Sequence, residues 1–510
     1  MYRTFPAIKD SYITNRVIRG KPVLQGNTGG AGTIDIFKLY GVTQTGIVPN
    51  TEISRALIKF DMSVLATQLS SSNRSASDPT FNVQLKMSDV YGGQTTPSNF
   101  QLILYPLSQS FDEGAGRDVA FYRDIDSCNF LTASWNGGAI SWFASGANSL
   151  GLLGSSNIDV ISSGNLGAGI VQLGVTQSFP MGTEDLLMDV TTLVSATLAG
   201  LIPDCGWRLS LVSSQETDTQ TRFVKRFASR TSADPLKHPQ LIFRINDAIS
   251  DNREQLTFDM SGSIFLFNHA LGVGLKNLVS GSTLSPVTGS NCMLVRLETP
   301  VSGGIYSASF VASQVKSGTA FVPGTYTATI ALPSSDPQLG PQLRASGSVT
   351  FNEYWVSSDG TVGFYTGSKG IVLKGQDTET YGTLPDQLTF SAMAQTDRYT
   401  TDQIGYFRIY CRKTSTFLNV RKLPQDSPSY VPAKVYYSVR DADTDNVIIP
   451  FDTAYNSTLV SSDSAGMSFS LYMDTLPIGG SYVIDLLVYE SSIGMIYRAV
   501  SNRFSVLQSH

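Results

Sequence analysis

An all-β chain of successive β-sandwiches is the fold class the sequence predicts, on three observations. Short alternating or wholly apolar runs, each bounded by Gly, Ser, Asn or Pro, recur from one end to the other. Hydrophobic residues make up 41% of the chain and charged ones only 15%. That is below the roughly 25% charged of an ordinary soluble domain, and it suits sandwiches with long Gly- and Ser-rich loops rather than a coiled coil or helical solenoid. A length of 510 residues exceeds one ordinary core, so two to four domains are expected.

The elements follow in order. In the first half "TIDIFKLYGV", "RALIKFDM", "FNVQLKM", "NFQLILYPL" and "GWRLSLVSS" read as strands. Within "RALIKFD", Ala56, Ile58 and Phe60 form an apolar face against Arg55, Leu57, Lys59 and Asp61. Asp61 is placed to cap a single following turn. One helix is predicted, "DVTTLVSATLAG", with Asp189 as N-cap and Gly200 near its end. Its apolar face is Val190, Leu193, Val194, Thr197, Leu198 and Leu201. Arg222 to Ile245, "RFVKRFASRTSADPLKHPQLIFRI", reads as a hairpin that closes a domain, followed by a polar linker, "NDAISDNREQ".

Two further β-rich regions follow. "VPGTYTATIAL" and "LPIGGSYVIDLLV" each run Pro, Gly, Tyr into an alternating strand, and "MLVRLETP" and "VYYSVRDAD" lie upstream in matching places. This reads as a diverged tandem repeat with Tyr326 and Tyr482 equivalent. The segment 376–400 is either extra strands or a linker between the units.

Several stretches of the first half carry a resemblance in register. They are "KDSYITN" (Lys9–Asn15), "GNTGGAGTIDIF" (Gly26–Phe37), "SRALIKFDMSVL" (Ser54–Leu65), "LILYPLSQSFDEG" (Leu102–Gly114), "LLMDVTTLVSATLAG" (Leu186–Gly200), "GWRLSLV" (Gly206–Val212) and the terminal hairpin. Together they resemble the DNRLRE-type β-sandwich, a jelly-roll domain related to carbohydrate-binding modules. The resemblance extends to large bacteriophage proteins in which such a domain precedes immunoglobulin-like modules. It implies an N-terminal jelly-roll β-sandwich with one short helix and long loops over residues 1–247, then two immunoglobulin-like β-sandwich domains over 253–378 and 379–510. The segment near 115–185 is longer than the family's common form and reads as an inserted loop region. It holds Trp135 and Trp142 and is the candidate interaction surface.

Candidate chemistry is sparse. Histidines are His238, His269 and His510, none beside a nucleophile motif. Asp112 and Glu113 are adjacent, but in an extended segment neighbours point to opposite faces, so turn capping is the reading rather than a paired acid and base. "DADTDN" sets Asp441, Asp443 and Asp445 at the first ligand positions of a calcium loop. Asn446 then replaces the required Gly and Asp452 the bidentate Glu. A polar hairpin turn is the favoured reading, a weak cation site the alternative. The loop Gly26–Gly32 lacks the Lys-Ser/Thr ending and the helix of a phosphate-binding loop. Trp135 and Trp142 are open to sugar stacking, to packing the insertion, or to binding a subunit. Arg230 is placed to pair with a carboxylate across the sandwich. Cys128, Cys205, Cys292 and Cys411 are widely spaced and read as reduced, mostly buried thiols. No catalytic, cofactor-binding or metal residue is assigned, and no cofactor is expected.

A net charge of −5 with Lys and Arg scattered singly gives no basic face for nucleic acid. No run is long enough for a bilayer, and "MYRTFPAIKDSYITNR" lacks an export-type apolar core. The expectation is therefore a non-enzymatic structural component of a bacteriophage virion: a neck or collar, baseplate or capsid-surface protein assembled in the host cytoplasm. It would self-associate and dock to other virion proteins, with contact to host-surface glycans as a further partner. The alternative is a carbohydrate-binding surface or adhesion protein.

Overall fold

The computed structural model describes residues 1–41, 51–117, 124, 126–167, 169–253, 256–270, 274–367, 370–375, 388–394, 396–413, 430–463, 466–489 and 494–509. The chain is all-β and divides into two compact units. One holds residues 3–69 and 81–244, the other residues 1–2, 70–80 and 245–510. The boundary expected at 378/379 lies outside the described residues, as does His510. Among the described residues no helix is long and apolar enough to cross a membrane.

In the first unit two sheets face each other. One runs Tyr2–Pro6, Gln240–Arg244, Asn82–Met87, Leu186–Asp189. The other runs Val175–Phe179, Phe100–Pro106, Trp207–Leu211, Glu52–Lys59, Thr33–Leu39, Arg222–Ala228, with Lys9–Thr14 also on Glu52–Lys59. Alternation supplies the core: Val83, Leu85 and Met87 from the first sheet meet Leu102, Leu104, Ala56 and Ile58 from the second, all fully buried. The predicted hairpin at 222–245 is corrected here. Arg222–Ala228 pairs with Thr33–Leu39, and Gln240–Arg244 with Asn82–Met87. The two strands therefore lie in opposite sheets, and the two-proline connection crosses between them. A polar, proline-bearing stretch has the same composition whether the chain turns back or crosses over.

The helix after Leu186–Asp189 is Thr191–Leu198, with Leu193, Val194 and Ala196 buried. The cap is displaced by one residue: Asp189 is the last strand residue, and its Oδ1 accepts from Thr191 N at 2.9 Å. Ile202, not Leu201, completes the apolar face. Asp61 accepts from Ser63 N at 2.9 Å, and the helix it starts runs from Met62 to Ser71, longer than the single turn expected.

In the second unit the first sandwich has the strand order Gly262–Phe267, Ala320–Ile330, Gly304–Ser317, Met293–Val301, Ser348–Ser357, Gly363–Thr366. Ser348–Ser357 is shared: its first four residues pair with Ile371–Lys374, and the rest with Met293–Glu298. Trp355, Phe351, Tyr326 and Ile264 fill the core. The second sandwich sets the sheet Leu388–Ala394, Ile404–Lys413, Gly466–Tyr472, Ser461–Asp463 against the sheet Arg398–Thr400, Phe504–Leu507, Ser481–Tyr489, Lys434–Asp441, Val447–Ile449. The short strand Arg398–Thr400 joins Phe504–Leu507 in parallel. This is an immunoglobulin-like order, and Tyr482 makes the corner such domains use, donating to Pro477 O at 2.5 Å.

The repeat alignment does not carry into the pairing. Met293–Val301 lies between Gly304–Ser317 and Ser348–Ser357, whereas Lys434–Asp441 pairs directly with the Tyr482 strand. Tyr326 donates to Val287 O at 2.8 Å, far upstream, rather than to its own turn. The stretch read as a linker is built in: Asn252 N donates to Ser263 O at 2.8 Å, and Ser462 N donates to Ile249 O at 2.9 Å. Its polar side chains and backbone satisfy the edges of neighbouring strands, which its composition does not reveal.

Candidate functional site

The inserted segment is the feature that most alters the surface, and it is ordered from beneath. It forms a hairpin, Thr132–Trp135 with Ala139–Ser141, and a small sheet of Leu150–Leu152, Val160–Asn165 and Ile170–Gln172. It packs on the mixed face of Glu52–Lys59, opposite Ala56, Ile58 and Phe60. Leu57, Ile13 and Phe111 join Trp142, Ala147 and Val160 in one buried cluster. Arg55 on that face is buried. Its guanidinium donates to Gly146 O at 2.6 Å and, through two parallel bonds of 2.9 and 2.7 Å, to Glu216.

Arg208, one strand over, donates to Ala147 O at 2.7 Å. Burial, and then the neighbouring Arg55, push its pKa down to about 10. Gly146 is needed here: its φ is +79°, and a Cβ would lie 2.7 Å from an Arg55 nitrogen.

Asp159 fastens the connecting turn. Fully buried, it accepts from Phe143 N at 2.6 Å, Ala144 N at 2.9 Å and Ser149 N at 3.0 Å. The two tryptophans separate in role. Trp142 is buried and donates to Asn129 O at 2.9 Å, so it packs the insertion. Trp135 is 42% exposed, and Ile140, Phe143, Leu150, Leu152 and Ile170 on the same insertion are also exposed.

The quoted motifs meet at a second place. Glu113 accepts from Asp10 N at 2.7 Å and from Arg230 Nε at 2.6 Å, with a second bond from Arg230 Nη2. Arg230 thus finds a carboxylate across the sandwich. Arg230 N donates to Asp10 Oδ2 at 2.6 Å. Asp10 is buried, and burial, which outweighs the opposing Arg230, pushes its pKa up to about 7. Asn27 donates to Glu113 O and Cys128 O at 2.7 and 2.8 Å, and accepts from Gly116 N at 2.9 Å.

The glycines of Gly26–Gly32 serve this contact. A Cβ on Gly29 would sit 2.1 Å from Glu113 O, and Gly30 N donates to Gly116 O at 2.8 Å. These amides are used internally rather than turned toward a phosphate. Asp112 diverges from Glu113 as the extended geometry requires, accepting from Trp135 N at 2.9 Å.

The remaining candidates are structural. His238 lies in the crossing connection with Nε2 at 2.8 Å from Ser232 O. For His269 only its place in a two-residue strand is described. Asp441 accepts from Asp443 N and Thr444 N at 3.0 and 2.8 Å, Asp443 pairs with Arg503 at 2.9 Å, and Asp445 pairs with Arg440. The cluster is a charge-paired turn. Asp452 closes its own loop, accepting from Tyr455 N at 3.1 Å. Cys128 and Cys411 are buried, Cys205 and Cys292 half-buried, and none of the four forms a disulfide. Burial pushes the Cys128 thiol up to about 12. The roles of Asp10, Arg55, Asp159 and Arg208 carry no local sequence signal, because they depend on contacts far along the chain.

No known family model matches the sequence, and no curated protein matches it. Among solved structures, the D00–D0 domain of intimin is 11% identical, covering 48% of this chain and 100% of that one at a TM-score of 0.14. The Yersinia pseudotuberculosis adhesin InvE is 12% identical, covering 48% of this chain and 58% of that one at 0.16. The Escherichia coli adhesin FdeC is 11% identical, covering 59% and 78% at 0.14. At TM-scores this low the likenesses carry no weight for function, and the fold rests on the sheet topology above.

Proposed function

We propose that this protein is a non-enzymatic structural component of a bacteriophage virion, at a neck or collar, baseplate or capsid-surface position, acting by self-association and docking to other virion proteins. The observation that carries the reading is the insertion: exposed Trp135, Phe143 and Ile170 stand on a base fixed by Asp159 and Arg55. Exposed apolar side chains on a rigid support favour docking, since little side-chain and loop ordering is lost on contact. Asp112 and Glu113 are engaged in turn and ion-pair contacts and His238 in a turn, which is consistent with a structural role.

Light scattering after size exclusion, with negative-stain imaging, tests self-association. A closed oligomer that Phe143→Asp disperses supports the proposal. A chain that stays monomeric at about 50 μM, well above the Kd of a standard-size interface, and does not associate with particles counts against it.

A second reading, a carbohydrate-binding surface or adhesion protein, is favoured by the exposed Trp135 ring, which offers an apolar face for stacking. Retention on a glycan array that Trp135→Ala abolishes would select it.

A further inference from the structure

We propose that the C-terminal sandwich carries a binding site for a single neutral sugar ring, in a polar cavity beside the pair Ile404–Lys413 and Gly466–Tyr472. The cavity has a volume of about 210 Å³, and its walls include Asp247, Tyr406, Tyr437, Ser461, Ser468 and Ser470. That volume is below the ~300–1,000 Å³ of pockets that take drug-sized ligands, so a single small ring and not a chain is the scale it suits. Tyr406 and Ser470 are direct neighbours across the two strands and both are exposed, so the cavity opens to solvent on their side.

The lining is built rather than incidental. Tyr437 is 2% exposed, and its ring stacks on Phe469 with centroids 4.1 Å apart. Burial, then the charge of Asp247, hold its phenol strongly protonated. That hydroxyl lines the cavity yet meets no hydrogen-bond partner among the described residues. The ring is buried while the hydroxyl reaches the cavity, so a ligand or water there would supply its partner. Nearer the mouth, Arg408 Nη1 donates to Tyr406 OH at 3.0 Å, which holds that ring in place.

The chemistry of the walls selects the ligand class. A carboxylate accepts only, serine and tyrosine hydroxyls both donate and accept, and a ring of sugar hydroxyls matches that set with several bonds at once. The one carboxylate, Asp247, is paired with the Met1 ammonium, so the walls offer hydroxyls and no free cation to an anion. One carboxylate is also too few ligands for a cation, and no group of three His, Cys, Asp or Glu that could hold a metal occurs among the described residues. In the terms used above the inference rests on the carbohydrate reading, but at a different place from Trp135.

The test is ligand-observed NMR and calorimetry on the full chain, with methyl glycosides of glucose, galactose, mannose and N-acetylglucosamine as probes. One of them is expected to bind with a Kd in the millimolar range. Tyr437→Phe, which removes only the hydroxyl, should weaken it about fivefold or more, the loss of one hydrogen bond. Ser470→Leu, at an exposed position that leaves folding alone, should block the mouth and abolish binding, and it decides the matter if Tyr437→Phe does not fold. No signal from any probe at about 10 mM, far above a millimolar Kd, overturns the site. So does binding that survives Ser470→Leu. Binding lost in Trp135→Ala but kept in Ser470→Leu overturns the cavity while leaving the carbohydrate reading in place.

Discussion

The Trp355 indole donates to the Glu353 carboxylate at 2.6 Å, inside the sandwich core. The two residues stand two apart on one strand and share its inward face, so a buried carboxylate is matched to a buried donor. Arg253, from the stretch that reads as a linker, completes the pairing at 3.0 Å. Burial outweighs Arg253 and raises the Glu353 pKa. A raised carboxylate pKa means the folded state holds the proton more tightly than the unfolded one. The stability it contributes is therefore full at low pH and declines as pH rises through the folded value. Glu353→Gln keeps the acceptor for the indole and should stay within about 1 kcal/mol of the parent. Glu353→Leu orphans the indole and should cost about 2–3 kcal/mol. Urea denaturation followed by tryptophan fluorescence distinguishes the two.

Asp10 makes the same argument nearer neutrality. Its neighbours Glu113 and Arg230 pair with each other and act on Asp10 in opposite directions, so burial decides the shift. With a folded pKa of about 7 against an ordinary value of 3.8, the native state binds the extra proton between those values. Stability should therefore fall as pH rises from about 4 to about 7 and level off above. Asp10→Asn retains an oxygen for Arg230 N and loses the titration. Calorimetry should find it close to the parent at pH 4.5 and more stable, by an amount on the order of a few kcal/mol, at pH 8. Equal pH profiles for the two proteins would remove Asp10 from the account.

How far the sequence could be read depends on which contacts are local. The alternation of Ala56, Ile58 and Phe60 is visible in seven letters, and so are Asp61 and Asp189 as helix starters, because each acts within a few residues. Arg55 and Leu57 belong to the mixed face, and nothing near them says what covers it. They are buried because Gly146 and Ala147, from an insertion far downstream, lie across them. The 222–245 connection failed for a related reason, since strand partners chosen at a distance leave no mark on a turn's composition. The motif residues Asp10, Asn27, Glu113 and Arg230 were quotable one stretch at a time, but only the fold brings them into one network.

Glycines in one loop should divide by what surrounds them. At Gly29 an added Cβ would meet three backbone atoms within 2.7 Å, whereas at Gly32 it meets nothing within 4 Å. Backbone cannot swing aside as a side chain can. Gly29→Ala should therefore destabilise the first sandwich by about 3 kcal/mol or more, while Gly32→Ala should be neutral or slightly stabilising. Thermal melts of the two variants measure this directly. Similar losses at both positions would mean that the loop is constrained by its conformation and not by its approach to Glu113.

Asp159 decides whether the insertion is a platform or a loose flap. Its two oxygens take three backbone N–H groups from the turn that carries Phe143, a job no neighbouring side chain duplicates. Asp159→Ala strands those donors away from water and should cost about 2–4 kcal/mol, concentrated in that turn. Phe143 is already 59% exposed, so a loosened backbone there becomes a chymotrypsin site. The expected outcome is rapid cleavage after Phe143 in Asp159→Ala and slow cleavage in Asp159→Asn, which keeps one accepting oxygen. If docking depends on a rigid insertion, oligomer formation should weaken in the same order. Cleavage unchanged in both variants would place the rigidity in the Arg55 and Arg208 contacts instead, where Arg55→Lys, which gives up the two parallel bonds to Glu216, is the variant to make.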